Sequence, residues 1–240
     1  MIPFPWQALL GATVLCAALA DSTAAANHAG ADTEALRQRH RSGQAALLLI
    51  EFQNEWLAAD GKLNGLLQDR AQLADAVAAG TRLLDAARTT GLPVIHSGLR
   101  FEPGHPELGR ARHGLREAIP RAGTFRGVGA DFFGPFQPAP GEFVAAGRLG
   151  ASAFAGSNLD SYLRNRGVDT LLIAGFALHV CVESTLRAAQ DLGYEVILVE
   201  DASAAFNATQ RSHVLDEVVH HFGHAMSSGE VIHALTETNE

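Results

Sequence analysis

Residues 169–199 read DTLLIAGFALHVCVESTLRAAQDLGYEVILV, and this stretch decides the fold. Asp169–Ala174 is apolar without alternation, the pattern of a strand buried on both faces of a parallel sheet. Gly175 closes it. Cys181–Leu192 has helical spacing and stops at Gly193, and Glu195–Val199 is a second uninterrupted strand. Two such strands joined by a helix imply a parallel pair with a right-handed crossover.

The same alternation extends in both directions. Upstream, Ala46–Ile50 is a buried strand, and Asp69–Arg88 a helix with apolar Leu73, Val77, Leu83 and Leu84 and with Gly91 beyond its end. Pro93–His96 is a second strand and Glu142–Ala146 a third, followed by a helix over Asn158–Arg166. Between them, residues 97–141 are rich in Gly and Pro and read as loop with one short helix. Downstream, Asn207–Phe222 is a helix with Asn207 as N-cap, and a short strand and helix occupy Ala225–Leu235. The expected architecture is an α/β three-layer sandwich around a doubly wound, mostly parallel sheet of about six strands.

Composition sets the outer limits. The 240 residues are 47% hydrophobic and 18% charged, as in soluble globular proteins, and are enough for a core that needs no disulfide or metal. The net charge of -8, with no cluster of Lys and Arg, argues against a nucleic-acid partner. Two cysteines, Cys16 and Cys181, are too few for a cysteine-built zinc site, and a disulfide between them is not expected. Ala8–Ala20 (ALLGATVLCAALA) has the length of a signal-peptide core, with small-x-small patterns at Ala18–Ala20 and Ala24–Ala26, but no Lys or Arg precedes Arg37. Residues 1–26 therefore read either as a cleaved export signal or as a disordered extension, which leaves an exported or a cytoplasmic location open. The run is too short to span a bilayer. Residues 27–44 read as a linker running into a short helix, and 45–240 as the folded domain, with no membrane partner.

Sites in open parallel sheets lie beyond the carboxyl ends of the strands. That rule selects Glu51, His96, Arg148, Gly175–Cys181 and Asp201. Cys181 opens a helix, where unpaired N–H groups favour thiolate and can bind an oxyanion; a buried, inert cysteine is the plain alternative. Glu51 directly follows a buried strand and suits a general base. Arg148 at the end of the third strand would stabilise both charges.

Glu51 with Gln53-Asn54, Arg148 before Phe154, Gly175 leading into Cys181-Val182-Glu183-Ser184-Thr185, and the later Gly193-Tyr194-Glu195-Val196 and Glu200-Asp201-Ala202 together resemble the isochorismatase-like superfamily of cysteine hydrolases. The resemblance runs from Ala46 to about Ala205. It implies a catalytic triad of Cys181, Glu51 and Arg148, a non-proline cis peptide at Phe176–Ala177, and an oxyanion hole from the N–H groups of Ala177 and Cys181. Phe176, His96, Gln53 and His179 are the expected substrate contacts, although Gln53 also suits a turn cap and His96 a packed strand end. A homo-oligomer is expected by resemblance. Two departures stand out. Glu51 replaces the usual Asp, as in one branch of the family that also shows the Gly61-Lys62-Leu63 pattern. Arg148 replaces Lys and cannot give up a proton.

No zinc or other cofactor is expected. The family's metal-binding branch, typified by nicotinamidase, carries Asp-x-His after the second strand, and residues 96–105 lack it. His220, His221 and His224 read as a surface cluster. Gly127-Val128-Gly129-Ala130 does not join a strand to a helix, so it is no dinucleotide fingerprint. The expected activity is hydrolysis of a small carboxamide or related C–N bond through a thioester. Enol-ether hydrolysis of isochorismate and an inactive binding or assembly role are the alternatives. Specificity is expected from the 97–141 segment, with Phe101, Phe125, Phe132, Phe133 and Phe136 forming an apolar wall.

Overall fold

The computed structural model describes residues 30–237. The export-signal reading of 1–26 and Cys16 lie outside them. Helix α1 spans residues 30–41. It is the short helix expected within the 27–44 linker, and its Leu36 is buried in the core, Arg37 bonds Glu237, and Arg39 bonds Asp169. The packed unit therefore begins before residue 45.

The remaining strands and α-helices follow around one sheet, each strand separated from the next by one or two helices: β1 (Ala45–Ile50), α2 (Asn54–Leu57), α3 (Arg70–Thr90), β2 (Val94–Ser97), α4 (Leu115–Ala122), β3 (Phe143–Val144), α5 (Leu159–Asn165), β4 (Thr170–Gly175), α6 (Glu183–Asp191), β5 (Glu195–Val199), α7 (Ala208–His213), α8 (Val219–Phe222), β6 (His224–Met226) and α9 (Ser228–Thr236). All six strands are parallel, in the order β3-β2-β1-β4-β5-β6. The apolar runs are buried as their lack of alternation requires: every residue of β1 and β4 is inaccessible or nearly so. Leu47 and Leu49 face α3 and α9, while Ala46, Leu48 and Ile50 face α5, α6 and α8. Two hydrophobic layers thus enclose the sheet. Truncating one of these leucines to alanine would cost about 2–5 kcal/mol.

Local signals act where they were read. Asp69 and Asn207 accept N-cap bonds from the Gln72 and Gln210 N–H groups, and Gly91 ends α3 in the left-handed region. Ser227 and Glu230 add a reciprocal capping box at α9. The differences are local too. The third strand pairs only over Phe143–Val144, and a π-turn at Val214–Val218 interrupts the helix read from 207 to 222. The 97–141 segment contains the one expected α-helix, α4, and three 3₁₀ turns. Among the described residues, no helix is long and apolar enough to cross a membrane.

Candidate active site

The strand order reverses between β1 and β4, which opens a crevice at their carboxyl ends. Gly175 ends β4 with φ +142, and a Cβ there would lie 2.0 Å from the Ile50 carbonyl oxygen. Only glycine permits this approach. Glu51, the first residue after β1, has φ +54, a left-handed conformation that costs a non-glycine residue on the order of 1–3 kcal/mol. The Phe176–Ala177 peptide bond is cis. Cys181 and Glu51 line one cavity beyond these strand ends.

The Glu51 carboxylate is fully buried and held on both oxygens. Oε1 accepts from Arg148 Nη2 at 2.6 Å, and Oε2 accepts from Trp56 Nε1 at 2.8 Å. Arg148 is buried as well. Its Nε donates to Gly150 O at 3.1 Å, Nη1 to Ser97 O at 3.3 Å, and Nη2 also to Ala151 O at 2.5 Å. Such a buried pair is stable because both partners' polar atoms find further partners. Thr185 joins the nucleophile's turn to the segment after Arg148: its hydroxyl donates to Cys181 O at 2.7 Å and accepts from Ala153 N–H at 2.9 Å.

The expectation of a thiolate-favouring helix end is corrected. Cys181 lies inside a π-turn, Leu178–Val182, and α6 starts only at Glu183, which puts a negative charge in its first turn. Burial pushes the Cys181 thiol well above the ordinary range; the Glu51 charge pushes it further, and Arg148 opposes both. At rest the surroundings therefore favour the thiol over the thiolate. The Ala177 N–H has no hydrogen-bond partner among the described residues, and Ala177 lines the cavity with Cys181.

That cavity has a volume of about 480 Å³. Leu63, Leu66, Leu115, Ile119, Phe125 and Phe206 make up much of its wall. Of the five phenylalanines expected there, only Phe125 lines it. Phe101 and Phe136 are core residues, Phe133 packs against the core, and Phe132 packs edge-on against His96.

The four expected substrate contacts lie outside the cavity lining. His96 is fully buried and bonds Glu142 at 2.8 Å, away from the cavity, because strand alternation turns it from the crevice. Gln53 is a clamp for the following loop: Nε2 donates to Leu99 O and Ala130 O, and Oε1 accepts from Leu99 N–H. Phe176 packs edge-on against Phe52 in the core beside α3. His179 is half-buried and edge-on to Phe206 at 4.4 Å, and it does not line the cavity; burial lowers its pKa. Asp201 caps the turn into α9 through Ser228. The sequence reading missed Trp56, whose position one helical turn beyond Glu51 was its only local signal. It also missed Phe206 and the α4 residues, which no spacing connects to the site. His220 and His221 are exposed, and no three His, Cys, Asp or Glu side chains among the described residues gather to hold a metal.

A model of the isochorismatase domain matches residues 45–230. The chain belongs to the isochorismatase family. Among its relatives, the ureidoacrylate amidohydrolase RutB of Variovorax paradoxus is 30% identical over 175 residues, covering 68% of this chain and 69% of the relative. A cysteine hydrolase from Pseudomonas syringae pv. phaseolicola superimposes with a TM-score of 0.70 at 24% identity, over 80% of this chain and 92% of the other. An isochorismatase family protein from Desulfovibrio vulgaris does so with a TM-score of 0.67 at 25% identity, over 81% and 99%. In this chain Cys181 and Glu51 line one cavity, and Arg148 is paired with Glu51.

Proposed function

We propose that the protein hydrolyses an amide or related C–N bond with Cys181 as nucleophile. The observation that carries this reading is that Cys181 and Glu51, a carboxylate immobilised by Trp56 and Arg148, line the same ligand-sized cavity. The amidohydrolase name of the RutB relative supports the reaction class.

Glu51 takes the thiol proton as sulfur attacks the carbonyl carbon, so charge separation is confined to the encounter. The developing oxyanion is received by the N–H groups of Ala177 and Cys181. Protonated Glu51 then returns its proton to the departing nitrogen, and the C–N bond breaks to leave a thioester. Water, deprotonated by Glu51, attacks that thioester and releases the acid and the thiol. Arg148 acts as a fixed charge. It needs no deprotonation in this sequence, so arginine in place of lysine is compatible with it.

Cys181→Ala should abolish amide hydrolysis while leaving the melting temperature within a few degrees of the parent. A thioester adduct on Cys181, trapped by acid quench and found by mass spectrometry, would mark the covalent path. Retained hydrolysis in Cys181→Ala would exclude it.

A further inference from the structure

Most of the cavity wall is apolar. Leu66 and Leu115 flank its opening, and each is 42% exposed although leucine is normally kept from water. Inside, Leu63, Ile119, Phe125 and Phe206 continue the same surface. The charged groups that reach the cavity are Glu51 on the floor and Arg121 at the rim. The Arg121 side chain is 75% exposed and pairs with Glu117 at 3.3 Å. Arg148 does not line the cavity, and its guanidinium is committed to Glu51 and three carbonyls. Thr124 lines the wall, but its hydroxyl oxygen is shielded from solvent.

A substrate carboxylate in this space would meet hydrocarbon and the negative Glu51, with no buried cation to receive it. Burying an unpaired charge is strongly unfavourable. An apolar group would release water from both surfaces, and the volume lies within the roughly 300–1,000 Å³ typical of ligand pockets. We propose that the site takes a neutral carboxamide or ureide whose remaining part is a bulky hydrocarbon, alkyl or aryl, seated between Ile119, Phe125 and Phe206. This differs from ureidoacrylate, the carboxylate-bearing substrate named for the RutB relatives. The inference rests on the reading of the cavity as the amide-hydrolysing site.

The test uses the full-length Cys181→Ala protein and isothermal titration with acetamide, butyramide, hexanamide and the monoamide of adipic acid. Kd should fall about fourfold per added methylene, equivalent to about 0.8 kcal/mol each. The adipic monoamide should bind about a hundredfold more weakly than hexanamide. In Leu115→Arg, placed on the same Cys181→Ala background, that ratio should shrink at least tenfold. A flat series, or an adipic monoamide that binds as tightly as hexanamide, overturns the proposal. Ammonia release by the parent enzyme separates the two readings. The affinity trend without ammonia release keeps the ligand class and removes the hydrolase; ammonia release with no preference for chain length does the reverse.

Discussion

Two carboxylates flank β2 and are held in much the same way, yet only one faces a site. Glu51 follows β1 and is bonded by Arg148 and Trp56. Glu142 precedes β3 and is bonded by Arg88, His96 and the Ala139 N–H. Burial alone would raise the Glu142 pKa, but the bonds from Arg88, Ala139 and His96 hold it at about 2. It is a firmly ionised anchor for the sheet edge, with no thiol beside it and no place in the cavity. Glu51 sits at the switch point, against Cys181, with open space above. An ion pair with an arginine therefore says little about function; a nucleophile and a cavity on the same carboxylate say much more.

The sharpest way to break this contrast is Glu51→Gln. Amide hydrolysis should fall about a thousandfold, in the range of a lost general base. Alkylation of Cys181 by iodoacetamide at pH 8 should become faster, because removing the negative charge lowers the thiol pKa from its raised value. Turnover close to the parent would contradict the pairing of base and thiol.

Arg148→Ala is next. It leaves the Glu51 carboxylate buried without its counter-charge and should cost about 3–5 kcal/mol in urea unfolding. Arg148→Lys keeps the charge but cannot reach Gly150, Ser97 and Ala151 at once, so its loss should fall between the two. A lysine variant as weak as alanine would mean that geometry, not charge, is what Arg148 supplies.

The smallest effect is expected at Glu142. Glu142→Gln should leave turnover within twofold. Its signature is in acid unfolding: a carboxylate lowered from 4.5 to about 2 in the folded protein stabilises it fully above 4.5, and that contribution is lost as pH falls from 4.5 toward 2. The parent should lose stability more steeply over this interval than the variant. Equal slopes would show that the Glu142 network does not act on stability.

The same contrast shows what the sequence made legible. Strands β1, β4 and β5 were readable almost to the residue because burial on both faces leaves an uninterrupted apolar run, and α3 because Asp69 and Gly91 mark its ends. Glu51, Arg148 and Cys181 were readable because each sits at or just beyond a strand end. Strand-end position gives height along the sheet but not the face, which is why His96 and Phe176 were read as substrate contacts when their side chains lie in the core beside α3. The cavity wall was hidden for another reason. Leu63, Ile119 with Phe125, and Phe206 come from three separate segments, and only tertiary packing assembles them.

Helix α1 has a practical consequence. Its Arg37 and Arg39 tie it to Glu237, beyond α9, and to Asp169, just before β4, so both ends of the described chain lie at the amino-terminal edge of the sheet. The cavity mouth lies at the opposite edge. A polypeptide fused directly before α1 or directly after Glu237 would be anchored at the edge opposite the cavity mouth, which makes the described fold suited to immobilisation.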